Sequence, residues 1–268
     1  MSCDNTALRL TIDTESMVLS LAGRDCAGRD CESRDIPLYS REAFELISRE
    51  WVRIGWGVRY YFTMTWFGRL IQQLPEDLVR LQEVLNLLQP DVIIETGVYF
   101  GGSLLFHATI CEALGKGRAI GIDINIHAST LEAVTNHRLA HRISTIQGDS
   151  ASPEVVEQVR TMIQPGEKVM VILDSDHSRN HVARELNAWA PFVSPGSCIV
   201  VTDGIMRDLT DVPGGRAEWA QDNPCTAAAE FLGTHPEFEL RQPVWPFNES
   251  DLRQNITYWP DGWLWRKS

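Results

Sequence analysis

From Arg41 the apolar residues Phe44, Leu46, Ile47, Trp51 and Ile54 recur at threes and fours, a spacing that predicts an amphipathic helix. An aromatic-rich stretch from Trp56 to Phe67 follows. Pro75-Glu76-Asp77 then opens a second helix, with proline at the first position and acids at the positive end of the dipole. Leu78, Leu81, Val84, Leu85 and Leu88 form its expected buried stripe. Beyond Pro90 the pattern changes to short, nearly continuous apolar runs: Val92-Ile94, Ala119-Ile122, Ile143-Ile146, Val169-Leu173 and Cys198-Val201. Helical segments at 103–114 and 179–190 lie between them, which predicts a doubly wound, mostly parallel α/β sheet covered on both faces. Phe238-Leu240 and Trp263-Trp265, on either side of Pro260-Asp261-Gly262, read as an antiparallel pair closing the sheet. Residues 204–224 read as a long loop, and loops of that length commonly serve as lids or binding loops.

Residues 22–35 read AGRDC-AGRDC-ESRD, a tandem repeat of glycine and alternating charge without apolar period. Composition predicts an exposed flexible arm there, with an oligomer-linking segment as the alternative. The expected organisation is a flexible arm over 1–40, a helical extension over 41–89 and an α/β domain over 90–268 that carries the lid loop 204–224. Tyr60, Tyr61, Trp66 and Phe67 fit both core packing between helices and the wall of a substrate pocket.

Apolar residues make up 44% of the 268 positions and charged ones 22%, enough to build a sizeable core. Lys and Arg total 24 against 36 Asp and Glu, and a net charge of −12 without a basic cluster disfavours nucleic acid and anionic membrane surfaces. No basic-then-apolar leader and no membrane-length apolar window occur, which predicts a cytoplasmic protein. The six cysteines, Cys3, Cys26, Cys31, Cys111, Cys198 and Cys225, include no C-x-x-C pair and read as reduced thiols. In that setting the glycosylation-type triplets at Asn248 and Asn255 are chance matches. Nine tryptophans, many of them in the N-terminal helices and the C-terminal strand, suggest a homo-oligomer, since large aromatics are enriched at interface centres; lining an acceptor pocket is the other use for them.

The first apolar run leads into Glu95-Thr96-Gly97-Val98-Tyr99-Phe100-Gly101-Gly102-Ser103, a glycine-rich turn at the carboxyl end of a parallel strand, where ligands bind in this architecture. Tyr99 stands where a dinucleotide fingerprint needs glycine, and no Gly-Lys-Ser/Thr follows to make a P-loop. An acid before the turn and a bulky residue in place of the pyrophosphate suit a cofactor that ends in an ammonium, such as S-adenosylmethionine. The candidate cofactor residues here are Glu95, Thr96, Gly97, Tyr99, Gly101 and Ser103. The second run ends in Asp123, 26 residues beyond Gly97, placed to accept from ribose hydroxyls. The third ends in Gly148-Asp149-Ser150, where Asp149 can accept from an adenine amino group and Ser150 stands beside it.

Asp174 and Asp203 end the fourth and fifth runs and border the same crevice, Asp174 counting among the cofactor contacts as well. Two hard oxygen ligands of this kind suit magnesium, against the plainer uses of a helix cap and a turn. His177, three residues after Asp174, is in reach to act as general base. His181 invites a zinc reading, but the glutamate of the H-E-x-x-H zinc helix is absent, so it is expected to pack on its helix.

Ile93-Ile94-Glu95-Thr96-Gly97 with Gly101-Gly102-Ser103, then Gly121-Ile122-Asp123, Gly148-Asp149-Ser150, Asp174-Ser175-Asp176-His177 and Pro260-Asp261-Gly262-Trp263 together resemble the cephalosporin hydroxylase family, which includes macrolide-sugar and rhamnosyl O-methyltransferases. The likeness spans roughly residues 60–265, including Trp66-Phe67-Gly68. It implies a Rossmann-like class I methyltransferase that uses S-adenosylmethionine and magnesium to methylate a sugar-like hydroxyl of an antibiotic-type secondary metabolite. Where the family commonly has Glu-Asp, both on the metal, this chain has Thr202-Asp203. The resemblance therefore gives Asp174, Thr202 and Asp203 as the metal set, with one negative charge fewer. Two further readings stand beside it: a metal-independent O- or N-methyltransferase using His177 alone, and a non-catalytic cofactor-binding accessory protein to a hydroxylase.

Overall fold

Runs of β-branched and aliphatic residues that lack an exposed face have to form interior strands, and the computed structural model places four of the five expected runs so, with Ile143-Ile146 at the sheet edge. It describes residues 9–24 and 30–268, apart from the side chains of residues 24 and 30–32. The seven-stranded sheet consists of β6 (Val92–Thr96), β7 (Arg118–Asp123), β8 (Ile143–Gln147), β9 (Val169–Leu173), β10 (Cys198–Val201), β11 (Phe238–Leu240) and β12 (Trp263–Arg266). Their order is β8-β7-β6-β9-β10-β12-β11, with β12 antiparallel to both of its neighbours and the remaining pairs parallel. β6 and β9 are buried at every position, as their sequences require. Helices α3 (Gly102–Leu114), α4 (Ala128–Thr135), α5 (Pro153–Met162), α6 (Arg179–Trp189) and α7 (Pro224–Thr234) follow strands as the crossovers of a wound sheet. Val92, Ile94, Ile120, Ile122, Val171, Leu186, Trp189 and Leu264 are among the residues of the central core.

The winding reverses between β6 and β9, so a crevice opens at their carboxyl ends. Gly97 sits there at φ +87°, and a Cβ on it would stand 1.9 Å from the carbonyl oxygen of Asp174. Backbone meets backbone at that point, and no side chain can be accommodated. Gly97→Ala is expected to lose at least ~2 kcal/mol through left-handed strain and overlap combined, read as a lowered urea midpoint.

Ahead of the sheet, β4 (Thr65–Trp66) and β5 (Arg69–Leu70) form a tight hairpin. Its turn residues, Phe67 and Gly68, both have positive φ, the type I′ geometry that two-residue hairpins favour. Helix α2 (Pro75–Leu88) buries Leu81, Val84, Leu85 and Leu88 as expected, and also Asp77. Cys111, Cys198 and Cys225 are free thiols and buried. Among the described residues no helix is long and apolar enough to cross a membrane.

The chain divides into two compact units: the described residues up to Ile54 with Phe247–Ile256, and Gly55–Pro246 with Thr257–Ser268. The expected flexible arm over 1–40 is corrected by the first of these. There β1 (Arg9–Asp13), β2 (Val18–Arg24) and β3 (Asp30–Pro37) form an antiparallel meander with β2 in the middle. Leu19, Leu21 and Ile36 on one face pack with Ala43 of α1 (Arg41–Gly57), and a strand face needs only such alternation to be held. The repeat runs through part of β2 and β3, while its residues 25–29, like residues 1–8, lie outside the described residues. The predicted helix α1 forms, and of the apolar residues that predicted it Leu46 and Ile47 pack against this cluster, whereas Phe44 and Ile54 are exposed at 42% and 63% and Ala43 and Val52 are buried. The helical extension drawn over 41–89 contains α1, a 3-10 turn at Tyr60–Thr63, the β4–β5 hairpin and α2, and the second compact unit starts at Gly55.

Candidate active site

A cleft of about 800 Å³ lies over the strand ends, lined by Gly97, Val98, Tyr99, Ser103, Asp123, Asp149, Ser150, Asp174, His177 and Asp203. That volume suits a drug-sized ligand or a nucleoside cofactor beside part of an acceptor. The floor at one end is the glycine-rich turn. Asp123 Oδ2 accepts from the backbone N–H of Val98 at 2.8 Å and of Tyr99 at 3.1 Å. On the outer side Thr130 Oγ1 donates to the Tyr99 carbonyl at 3.0 Å, and Arg69 Nε donates to that of Phe100 at 2.8 Å. The turn, with Tyr99 at φ 43°, is thus strapped from both sides.

Asp149 lines the cleft from the end of β8, its Oδ1 accepting from Ala151 N and its Oδ2 paired with Arg184 at 2.9 Å. Those contacts, the backbone one first, hold its pKa below the usual value. Ser150 lines the cleft, but its hydroxyl donates to the buried Glu185 at 2.5 Å, as does that of Ser175 at 2.7 Å. His181 lines the cleft too, 3.4 Å from Glu185, and its hydrogen bond with that carboxylate raises its pKa. His181 thus packs on its helix as expected, through Glu185 four residues on, and borders the cleft as well.

Beside the turn, Asp174, His177 and Asp203 each offer one ligand atom, all within 4.8 Å of one another. His177 Nε2 lies 3.4 Å from Asp203 Oδ2. Desolvation deep in the cleft raises both aspartates well above the ordinary carboxylate range, and the charge of Asp203 raises Asp174 further. Asp203 adopts the left-handed backbone conformation at φ 54°, a costly arrangement typical of functional positions. Two carboxylates forced together beside an imidazole form a donor set that a divalent cation would relieve of its repulsion.

Four residues expected in the site stand elsewhere. Glu95 is 1% exposed, does not border the cleft and lies 3.4 Å from the buried His107. Its strand position turns it into the layer between sheet and α3, because side chains alternate faces. Thr96 is fully buried and contributes its carbonyl to Asp174 N, while Gly101 precedes α3 facing Val134 and Thr130. Thr202 is fully buried with its hydroxyl on the Leu173 carbonyl at 2.9 Å and on Asp174 Oδ1 at 2.5 Å, so it supports Asp174 instead of facing a cation.

The sequence gives little sign of Gln73, whose Nε2 donates to Asp174 Oδ2 at 2.9 Å, or of Asp77, which accepts from Thr257 Oγ1 and from Tyr258 N at 2.8 Å. Burial raises the Asp77 pKa to about 7, against an ordinary value of 3.8. The folded chain therefore holds a proton that the unfolded chain releases near pH 4, and stability declines as pH rises from about 4 to about 7. Each unit of such a shift is worth about 1.4 kcal/mol. Asp77→Asn is expected to flatten this part of the pH dependence of thermal unfolding in metal-free protein.

A wound sheet of this order with a glycine turn, strand-end acids and an acidic reaction centre defines a class I methyltransferase. The chain belongs to the rhamnosyl O-methyltransferase/CmcI family, whose sequence profile matches residues 58–267. It is 29% identical over 173 residues to a rhamnosyl O-methyltransferase of Mycobacterium bovis, covering 63% of this chain and 69% of that one. The rhamnosyl O-methyltransferase of Mycobacterium leprae is 31% identical over 169 residues, 62% and 72% of the two chains. Among solved structures, a CmcI variant described with Mg and SAM shares the fold at a TM-score of 0.52 and 21% identity, over 77% and 78% of the chains.

Proposed function

We propose that the protein transfers a methyl group from S-adenosylmethionine to a sugar-like hydroxyl of a small natural product, with a magnesium ion in the site. The observation that carries this reading is the meeting of Asp174, His177 and Asp203 in the same cleft as the Gly97 turn. The relatives named for rhamnosyl O-methylation support the acceptor class, and the CmcI complex with Mg and SAM supports the cofactors. When bound, the cofactor supplies an electrophilic methyl on a sulfonium, and the cation supplies charge that acidifies an alcohol.

Asp174 and Asp203 would hold the cation, and the Gly97 turn with Asp123 and Asp149 would orient the cofactor. His177 Nε2 removes the proton from the acceptor hydroxyl, and the Asp203 carboxylate 3.4 Å away stabilises the imidazolium that results. Trp56, Tyr61, Met206 and Trp219 line the remaining wall, which excludes water and offers flat apolar faces to a sugar ring. Met206 and Trp219 come from the loop 204–224, which acts in this reading as the lid. The enzyme works in the cytoplasm as a homo-oligomer in the formation of an antibiotic-type product. Calorimetry with S-adenosylhomocysteine, followed by mass spectrometry of glycosides incubated with cofactor and magnesium, tests the reading. Binding followed by gain of one methyl is expected; absence of cofactor binding would end it. Light scattering at the monomer mass of 30.2 kDa would remove the oligomer.

A further inference from the structure

Both oxygens of Asp174 are addressed by neutral donors, Oδ1 by Thr202 at 2.5 Å and Oδ2 by Gln73 at 2.9 Å. Gln73 is 4% exposed, and its Oε1 accepts from the indole Nε1 of Trp259 at 3.1 Å. Trp259 is 1% exposed, is not among the residues lining the cleft, and donates its main-chain N–H to Thr257 Oγ1 at 2.8 Å. Thr257 in turn is hydrogen-bonded to Asp77 of α2. A continuous line of contacts therefore runs from α2, through the segment before β12, to the reaction centre.

The order of donors along this line allows one arrangement. An indole N–H only donates, so the amide oxygen of Gln73 has to face Trp259, and its nitrogen has to face Asp174. A reversed amide would oppose two donors at Trp259 and two acceptors at Asp174. An amide is also the right chemistry for the place. It steadies a carboxylate lying close to Asp203, yet it adds no charge that would compete with a cation, as Lys or Arg would. Each Asp174 oxygen retains accepting capacity after these bonds. With two carboxylates in the cluster, the aim of each matters.

We propose that Gln73, oriented by Trp259, is a positioning residue that fixes the Asp174 carboxylate in the rotamer facing Asp203 and His177, and so sets the affinity of the site for a divalent cation. The inference rests on the reading of Asp174 and Asp203 as the cation's holders. Outer hydrogen-bond partners of metal-holding residues affect affinity by about 10–100-fold. Trp259 acts only through Gln73, so its effect disappears when Gln73 is already gone.

The test uses the full chain, Mn²⁺ as probe and the electron paramagnetic resonance signal of the free ion as readout, with S-adenosylhomocysteine binding measured by calorimetry. Trp259→Phe keeps the ring size and removes the donor; Gln73→Met keeps the length and removes the amide. Each is expected to weaken Mn²⁺ binding roughly tenfold while leaving S-adenosylhomocysteine affinity unchanged. The double variant should bind Mn²⁺ no more weakly than Gln73→Met alone, a coupling that separate structural damage would not produce. Folded single variants with parental Mn²⁺ affinity, or losses that add in the double variant, would overturn the proposal. A parent that binds S-adenosylhomocysteine but no Mn²⁺ would instead overturn the cation reading, and this inference with it.

Discussion

Asp174→Ala will leave S-adenosylhomocysteine binding close to parental while abolishing stimulation by magnesium. In the proposed reading the two roles separate because different groups carry them: Asp123, Asp149 and the turn at Gly97 orient the cofactor, whereas the side chain of Asp174 stands with His177 and Asp203. A bound cation typically contributes several kcal/mol of charge stabilisation in the transition state, so the expected loss of turnover is on the order of 10³-fold. Removal of the side chain leaves Gln73 Nε2 without its acceptor, a further but smaller cost. Folding should survive, because the close contact with Gly97 is made by the Asp174 carbonyl, which alanine retains. Measured by calorimetry and by initial rates with and without magnesium, a folded variant that also loses S-adenosylhomocysteine would show that the assignment of roles is wrong.

His177→Ala will lower turnover by roughly 10²–10⁴-fold at neutral pH, with cofactor affinity unchanged. His177 is 25% exposed at the cleft wall and lies 3.4 Å from Asp203, so its imidazole can both reach an acceptor and be stabilised once protonated. Raising the pH should restore part of the lost rate, since hydroxide can take over the removal of the proton. A purely structural histidine predicts another outcome, in which activity and melting temperature fall together and alkaline buffer brings no recovery. A stable variant with parental turnover would remove His177 from the mechanism and leave acidification of the alcohol to the cation alone.

The doubly wound sheet was legible because its interior strands carry continuous apolar runs: β6 and β9 read as strands from Val92-Ile94 and Val169-Leu173 alone. The acids Asp123, Asp149, Asp174 and Asp203 were legible as well, because in parallel strands the carboxyl ends share one edge and the residues within three positions of the end of each apolar run stand there. Glu95 misled by the same logic, since its place within the strand, not past its end, turns it into the protein. Gln73 and Trp259 were not legible, for their bond to each other spans 186 residues and that from Gln73 to Asp174 spans 101. No local period records such meetings. The N-terminal meander was hidden for a different reason: its repeat dominates the composition, while the alternation of Leu19 and Leu21 that anchors it occupies only three positions.

The strapping of the glycine-rich turn bears on the speed of the catalytic cycle. Its inner N–H groups are engaged by Asp123 and its outer carbonyls by Thr130 and Arg69, all through the protein's own groups. A loop that is already shaped loses little freedom when a ligand arrives, so the entropy of shaping it is settled during folding. In the proposed reading this turn orients the cofactor, and its straps, all made within the protein, need not be rebuilt once the methyl has left. On that reading capture is expected to be fast and limited by access, and departure of the spent nucleoside to be the slow event of each cycle.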